Sequence, residues 1–140
     1  MITSYPACFF KEEDGYSVVF PDLNWLSTCG KNEEDAFSMA VDCLAGHLYF
    51  CEREGQTVND PTPLKEICIS EIAADLELSP EEMFVNVVSV DVDAYAKVHF
   101  EKAVKKTLTI PAWLNTLAVE QNINFSQVLQ EALKEKLNVK

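Results

Sequence analysis

The chain has 140 residues, 48% of them hydrophobic, and a formal net charge of −12; this is enough to bury a core as one domain or two small ones. No run of 18 apolar residues occurs, which excludes a transmembrane helix, and the first residues lack the basic and apolar regions of a signal peptide, so a cytoplasmic protein is expected. The charge is uneven: residues 1–100 carry 5 Lys+Arg against 19 Asp+Glu, a net of −14, whereas residues 101–140 carry 6 Lys against 4 Glu, a net of +2. Only the C-terminal part can approach nucleic acid, and the acidic body suits a basic protein partner or simple solubility.

Thr3 to Phe10 alternates as a strand, with Tyr5, Ala7 and Phe9 on one face and Cys8 and Phe10 on the other, so both faces of a sheet are candidates for burial. Glu12-Glu13-Asp14-Gly15 reads as a hairpin turn. Tyr16 to Phe20 returns, with Tyr16, Val18 and Phe20 on one face. Pro21-Asp22-Leu23-Asn24 breaks the strand, and Trp25 to Cys29 is a third short one ended by Gly30. Asn32 is a suitable N-cap, and Glu33, Glu34 and Asp35 favour a helix start through the dipole. That helix should run to about Arg53, burying Phe37, Ala40, Val41, Leu44, Leu48 and Cys51. Gly46 within it costs about 1 kcal/mol relative to alanine, which a close approach of the sheet would explain.

Gly55 to Pro63 is a polar loop. Leu64 to Leu78 is ambiguous, with a helical turn over Ser70 to Leu76, and Ser79-Pro80 is a further break. Met83 to Val92 is the plainest strand, rich in valine, and Asp93 to Lys102 is a short helix or linker. The sum is an α+β fold, a small antiparallel sheet packed on a long helix. The five cysteines, Cys8, Cys29, Cys43, Cys51 and Cys68, form no paired-ligand spacing, so no structural zinc is expected and reduced, buried thiols are.

The last stretch opens with an alternating strand in which Val104, Lys106, Leu108 and Ile110 face one way and Lys105, Thr107 and Thr109 the other. Pro111 suits the first helical position, and Leu114, Leu117 and Ala118 repeat at helical spacing. Asn122 can take a left-handed cap. Asn124 caps a second helix, with Gln127 placed as in a capping box. Phe125, Val128, Leu129, Ala132, Leu133 and Leu137 form its apolar stripe. So small a unit cannot bury these surfaces alone. Residues 104–138 resemble the ribbon-helix-helix family of DNA-binding dimers. The resemblance implies a homodimer, base reading by Lys105, Thr107 and Thr109, and a phosphate held by backbone amides from Asn124 through Phe125 to Ser126. A helical hairpin used only for dimerisation is the alternative.

A second resemblance covers most of residues 3–95. Tyr5-Pro6-Ala7, Glu13-Asp14-Gly15-Tyr16, Phe20-Pro21-Asp22-Leu23, Thr28-Cys29-Gly30, Glu33-Glu34-Asp35-Ala36 and Ser89-Val90-Asp91-Val92-Asp93-Ala94-Tyr95 resemble HicB-type antitoxins. The chain departs at Asn24-Trp25, where the family usually has Pro-Gly. The resemblance implies a partial ribonuclease-H-like fold without its catalysis over residues 1–100, binding a small basic HicA-type RNA-cleaving toxin. A ribbon-helix-helix domain over residues 101–140 would bind operator DNA. Glu12, Glu13, Asp14 and Asp22, around the hairpin, are the candidate toxin contacts.

A ribonuclease-H-like fold also raises a metal-dependent nuclease, for which Asp22, Asp42, Asp91 and Asp93 are the carboxylate candidates. Asp91 and Asp93, two apart on a strand, would point the same way, though a solvated strand end accounts for them equally simply. His47 falls beside Leu44 and Cys51, where a packed core-edge histidine is expected rather than a base, and Trp113 suits core or interface packing. No cofactor is implied, and no catalytic or metal-binding residue is assigned.

Overall fold

In the computed structural model, which describes residues 1–140, β1 (Ile2–Glu12) and β2 (Gly15–Phe20) form the expected hairpin. Phe9 faces Val18, and Glu12 faces Gly15 across the closing pair, leaving Glu13 and Asp14 as the loop. β3 (Leu26–Gly30) pairs antiparallel with β2, and β4 (Glu82–Asp91) pairs antiparallel with β1, giving the sheet order β3-β2-β1-β4. Between β3 and β4 run α1 (Glu33–Arg53), the loop after it and α2 (Ile69–Asp75); α3 (Val92–His99) follows β4 directly.

α1 begins where the sequence places it. Asn32 Oδ1 accepts from the Asp35 N–H at 2.9 Å, and Asp35 Oδ2 accepts from the Lys31 N–H at 2.8 Å. Ala36, Ala40, Leu44, Ala45, Leu48 and Cys51 are its buried residues. Most of them pack with Tyr5, Ala7, Phe9, Val18, Phe20, Val88 and Val90 of the sheet into the main core. Phe37 and Val41 lie at its margin, half-buried.

The opposite face of the sheet is covered as well. Cys8, Phe10, Val19 and Ala73 form a second core, with Ile67, Ile69, Ile72, Leu76, Leu78 and Val85 packed against it. The ambiguous stretch thus acts as a lid whose apolar side chains alternate between helix and coil, which is why no single period describes it. Burial, with a smaller push from Asp22, raises the Cys8 thiol to about 11. Cys8 and Cys51 are buried, but Cys29 and Cys68 are exposed, against the expectation of five buried thiols. Cys29 lies on edge strand β3, and Cys68 is the N-cap residue of α2.

Gly46 does not meet the sheet: a Cβ there would find only the Phe100 ring, at 3.6 Å, an ordinary contact. The close approach is at Gly30. A Cβ there would lie 2.4 Å from the Ala36 nitrogen and 2.5 Å from its Cα, while one on Gly15, at φ +144, would lie 2.3 Å from the Gly30 carbonyl oxygen. These are backbone atoms with nowhere to swing. Gly30→Ala is therefore expected to cost about 3 kcal/mol, the upper end for overpacking, read as a lower urea midpoint at unchanged slope. A loss under about 0.5 kcal/mol, the size of an ordinary surface change, would show that β3 and α1 can part freely.

The chain divides into two compact units, Met1–Lys102 and Ala103–Lys140. In the second, α4 (Ala112–Glu120) follows Pro111 and ends with Asn122 left-handed at φ 53; α5 (Phe125–Leu137) ends with Asn138 at φ 55. Asn124 Oδ1 accepts from the Gln127 N–H at 3.1 Å, but the Gln127 amide turns to Glu131, so only half of the capping box forms. The segment 104–110 has no strand pairing within the chain. An alternating strand with no neighbour has no backbone partner to make it a ladder. No residue of this unit is buried; Ala118 and Leu129 alone are half-buried.

Candidate functional site

The β1–β2 turn gathers three of the four acidic candidates. Glu12, Glu13 and Asp14 line an open cleft of about 720 Å³ with Tyr16, Cys29, Lys31, Asp35 and Met39 among its other walls. The β2–β3 pairing brings Gly30 opposite Tyr16, and so sets the start of α1 beside the hairpin. Asp35 is partly engaged by the Lys31 N–H. The hairpin carboxylates share the cleft with an aromatic and a thioether side chain, a set that favours the stem and charge of a basic side chain. It offers no nucleophile paired with a base.

Asp22 does not join them. It lies in the 3-10 turn Pro21–Leu23, where Oδ2 accepts from the Thr62 N–H at 2.9 Å and Oδ1 from the Thr62 hydroxyl at 2.5 Å. Asn59 Nδ2 donates to the Asp22 carbonyl at 3.0 Å, and the Tyr5 hydroxyl donates to the Asn59 carbonyl at 2.7 Å. Asp22 thus pins the loop after α1 to the sheet. The Tyr5 phenol is held above its ordinary range by burial first, then by Asp60 and Asp22.

The nuclease carboxylates are likewise separately engaged. Asp42 Oδ1 accepts from the Tyr95 hydroxyl at 2.9 Å, and burial and this bond raise the Tyr95 phenol. Asp91 and Asp93 do not share a strand face: Asp91 ends β4 and caps α3, accepting from the Ala94 N–H at 3.1 Å, while Asp93 is in the first helical turn. That bond, with the Met1 amino group adding, lowers the Asp91 carboxyl. No group of three or more His, Cys, Asp or Glu is placed to hold a metal ion. His47 Nε2 lies 3.6 Å from Cys51 Sγ, one helical turn along α1, at the edge of the core.

In the second unit, Lys105, Thr107 and Thr109 are all exposed, as are Asn124, Phe125 and Ser126. The Asn124 cap takes the Gln127 N–H, which leaves the amides of the first two helical residues open to another acceptor. Trp113 is exposed in the single chain.

Sequence reasoning missed Lys31, Asp35 and Met39 as walls of the hairpin cleft. Their separation from Glu12 along the chain carries no signal; only the strand register brings them together. At Asn24-Trp25, where the sequence departs from Pro-Gly, Trp25 belongs to the turn and not to β3, which starts at Leu26. Both residues are left-handed, at φ 55 and 61. Proline cannot adopt φ 55, so this turn differs from the one a Pro-Gly pair would make.

Residues 4–76, more than half of the chain, match the family described as "HicB_like antitoxin of bacterial toxin-antitoxin system". Among solved structures, the chain is similar to a toxin–antitoxin complex from Streptococcus pneumoniae, at 28% identity and a TM-score of 0.62, over 97% of this chain and 99% of that one. It also shares its fold with a HicA3 and HicB3 toxin–antitoxin complex, at 21% identity and a TM-score of 0.51, over 64% of this chain and 99% of that one. No curated protein matches the chain. The family match runs from β1 through α2, across both layers that cover the sheet, and the chain belongs to the HicB-like antitoxin family of bacterial toxin–antitoxin systems.

Proposed function

We propose that the chain is the antitoxin of a type II pair. Its N-terminal unit binds and neutralises a HicA-type RNA-cleaving toxin in the cytoplasm, and its C-terminal unit dimerises as a ribbon-helix-helix and represses the operon. The family match over residues 4–76 carries this reading. The role is inhibitory binding by a partial ribonuclease-H-like sheet, without catalysis of its own. The net charge of −14 over residues 1–100 supports a basic partner, because complementary charge speeds encounter and disfavours wrong partners. Glu12, Glu13 and Asp14 are the contacts this reading favours; Asp22 acts through the loop it pins.

The C-terminal half of the proposal is supported by exposure. Leu108, Ile110, Leu114, Leu117, Val128 and Leu133 stand exposed in one chain, and so large an apolar surface favours a partner. A twofold copy would supply the strand that 104–110 lacks and cover both helices.

Co-expression with the small basic protein of the adjacent reading frame tests the whole. The two are expected to co-purify, the toxin's RNA cleavage to stop at equimolar antitoxin, and the antitoxin alone to sediment as a dimer that a chain ending at Lys102 does not form. A toxin that stays active beside excess antitoxin sinks the neutralisation claim. Equal sedimentation of the full and shortened chains sinks the dimer.

A further inference from the structure

Trp25 is held in a backbone conformation that is unfavourable for a bulky side chain. Its φ of 61 lies in the left-handed region, which glycine enters freely and a bulky side chain does not. Asn24 before it is also left-handed, which asparagine tolerates. Despite this strain the residue is 47% exposed and belongs to neither apolar core. The hydrogen bond at this residue is made by its backbone carbonyl, which accepts from the Ser27 hydroxyl at 2.7 Å. Strain kept at a half-exposed aromatic outside both cores points to a residue used outside the chain.

The surroundings narrow what meets it. Asp22 lies in the same turn, and Asn59, which binds the Asp22 carbonyl, precedes Asp60. An exposed indole on a unit with a net charge of −14 over residues 1–100 favours a cationic side chain, above all a guanidinium, which stacks on the ring. DNA is repelled by this charge, and a second copy of an acidic unit with a net of −14 over residues 1–100 is repelled as well.

Resting on the antitoxin reading above, we infer that Trp25 is an anchor of the toxin interface, receiving an arginine or lysine of the basic toxin on its indole face. Tryptophan and arginine are the residues that dominate such interfaces. The toxin surface then includes the turn after β2, at the opposite end of that strand from the acidic hairpin.

The test titrates the co-purified toxin against the full chain and its Trp25→Gly and Trp25→Asn variants. Both replacements accept a positive φ and remove the ring. Each is expected to fold with a melting temperature no more than about 3 °C below the parent's, while toxin affinity falls at least about 30-fold. Trp25→Phe, which keeps an aromatic face, is expected to restore most of it. If the parent itself does not bind the toxin, the antitoxin reading fails first. If the parent binds and both folded variants bind within about threefold of it, the anchor is overturned and the antitoxin reading stands. If the variants change the sedimentation of the chain alone and leave toxin affinity unmoved, the surface belongs to a second copy and the inference is again overturned.

Discussion

A Phe9→Ala chain is expected to lose about 3–5 kcal/mol of stability in its N-terminal unit. Phe9 is fully buried on β1, one of the two central strands of the sheet. Its ring stacks on Phe84 of β4, with centroids 4.9 Å apart and planes 5° from parallel, and meets Phe37 of α1 at 4.6 Å. One side chain therefore ties β1, edge strand β4 and α1 together, and its removal forfeits the transfer term, a cavity term and two aromatic contacts. Against a total near 5–15 kcal/mol for a domain, this is a large fraction. Phe9→Leu, which keeps most of the volume, should cost under about 1.5 kcal/mol. Urea unfolding of the two variants separates the cases, with a shifted midpoint and an unchanged slope. A cost under about 1 kcal/mol for the alanine would mean that α1 is held to the sheet by other contacts. Toxin should restore stability to the variant by mass action, since it binds only the folded unit under the proposed function.

The second large effect is expected at DNA. A Lys105→Ala, Thr107→Ala, Thr109→Ala variant should lose its preference for the operator over unrelated DNA by at least about 100-fold, at about 1–3 kcal/mol for each lost base contact. The major groove admits a two-stranded ribbon, and in such a ribbon these three side chains point opposite to Leu108 and Ile110. The dimer should then remain intact, so the loss separates recognition from assembly. Lys105 also carries charge, so the slope of affinity against salt should fall. The acidic body opposes binding, and two dimers on adjacent half-sites would offset this through effective concentration. A titration on the protein's own promoter at two salt concentrations checks both. Undiminished operator preference in the triple variant would reduce the C-terminal unit to a dimerisation device.

The parts of the fold that were legible in the sequence carry their cause within a few residues. The hairpin follows from alternation on either side of Glu12–Gly15, and α1 from the Asn32 cap, its acidic first turn and a 3.6-residue stripe. Asn122 and Asn124 likewise mark the end of α4 and the start of α5. The strand alternation of 104–110 was equally legible, yet a strand needs a neighbour, and none exists within the chain. The lid over the second face was not legible. Ile67, Ile69, Ile72, Leu76 and Leu78 follow no one period, because what aligns them is the apolar surface of Cys8, Phe10 and Val19 beneath them.

The same division holds for the candidate site. Composition and motif determined the acidic N-terminal unit, the family and the three hairpin carboxylates, since these are properties of residue type and local order. The tertiary structure decided which groups meet. Register set Gly30 and Lys31 beside the hairpin. A hydrogen bond from a residue 40 positions away drew Asp22 to Thr62. The end of β4 turned Asp91 into a helix cap and separated it from Asp93. Trp25 took a left-handed turn that no propensity would assign to it. Local propensity acts over one turn or one strand, whereas strand pairing and the burial of both sheet faces act across the whole chain, and only they choose which side chains become neighbours.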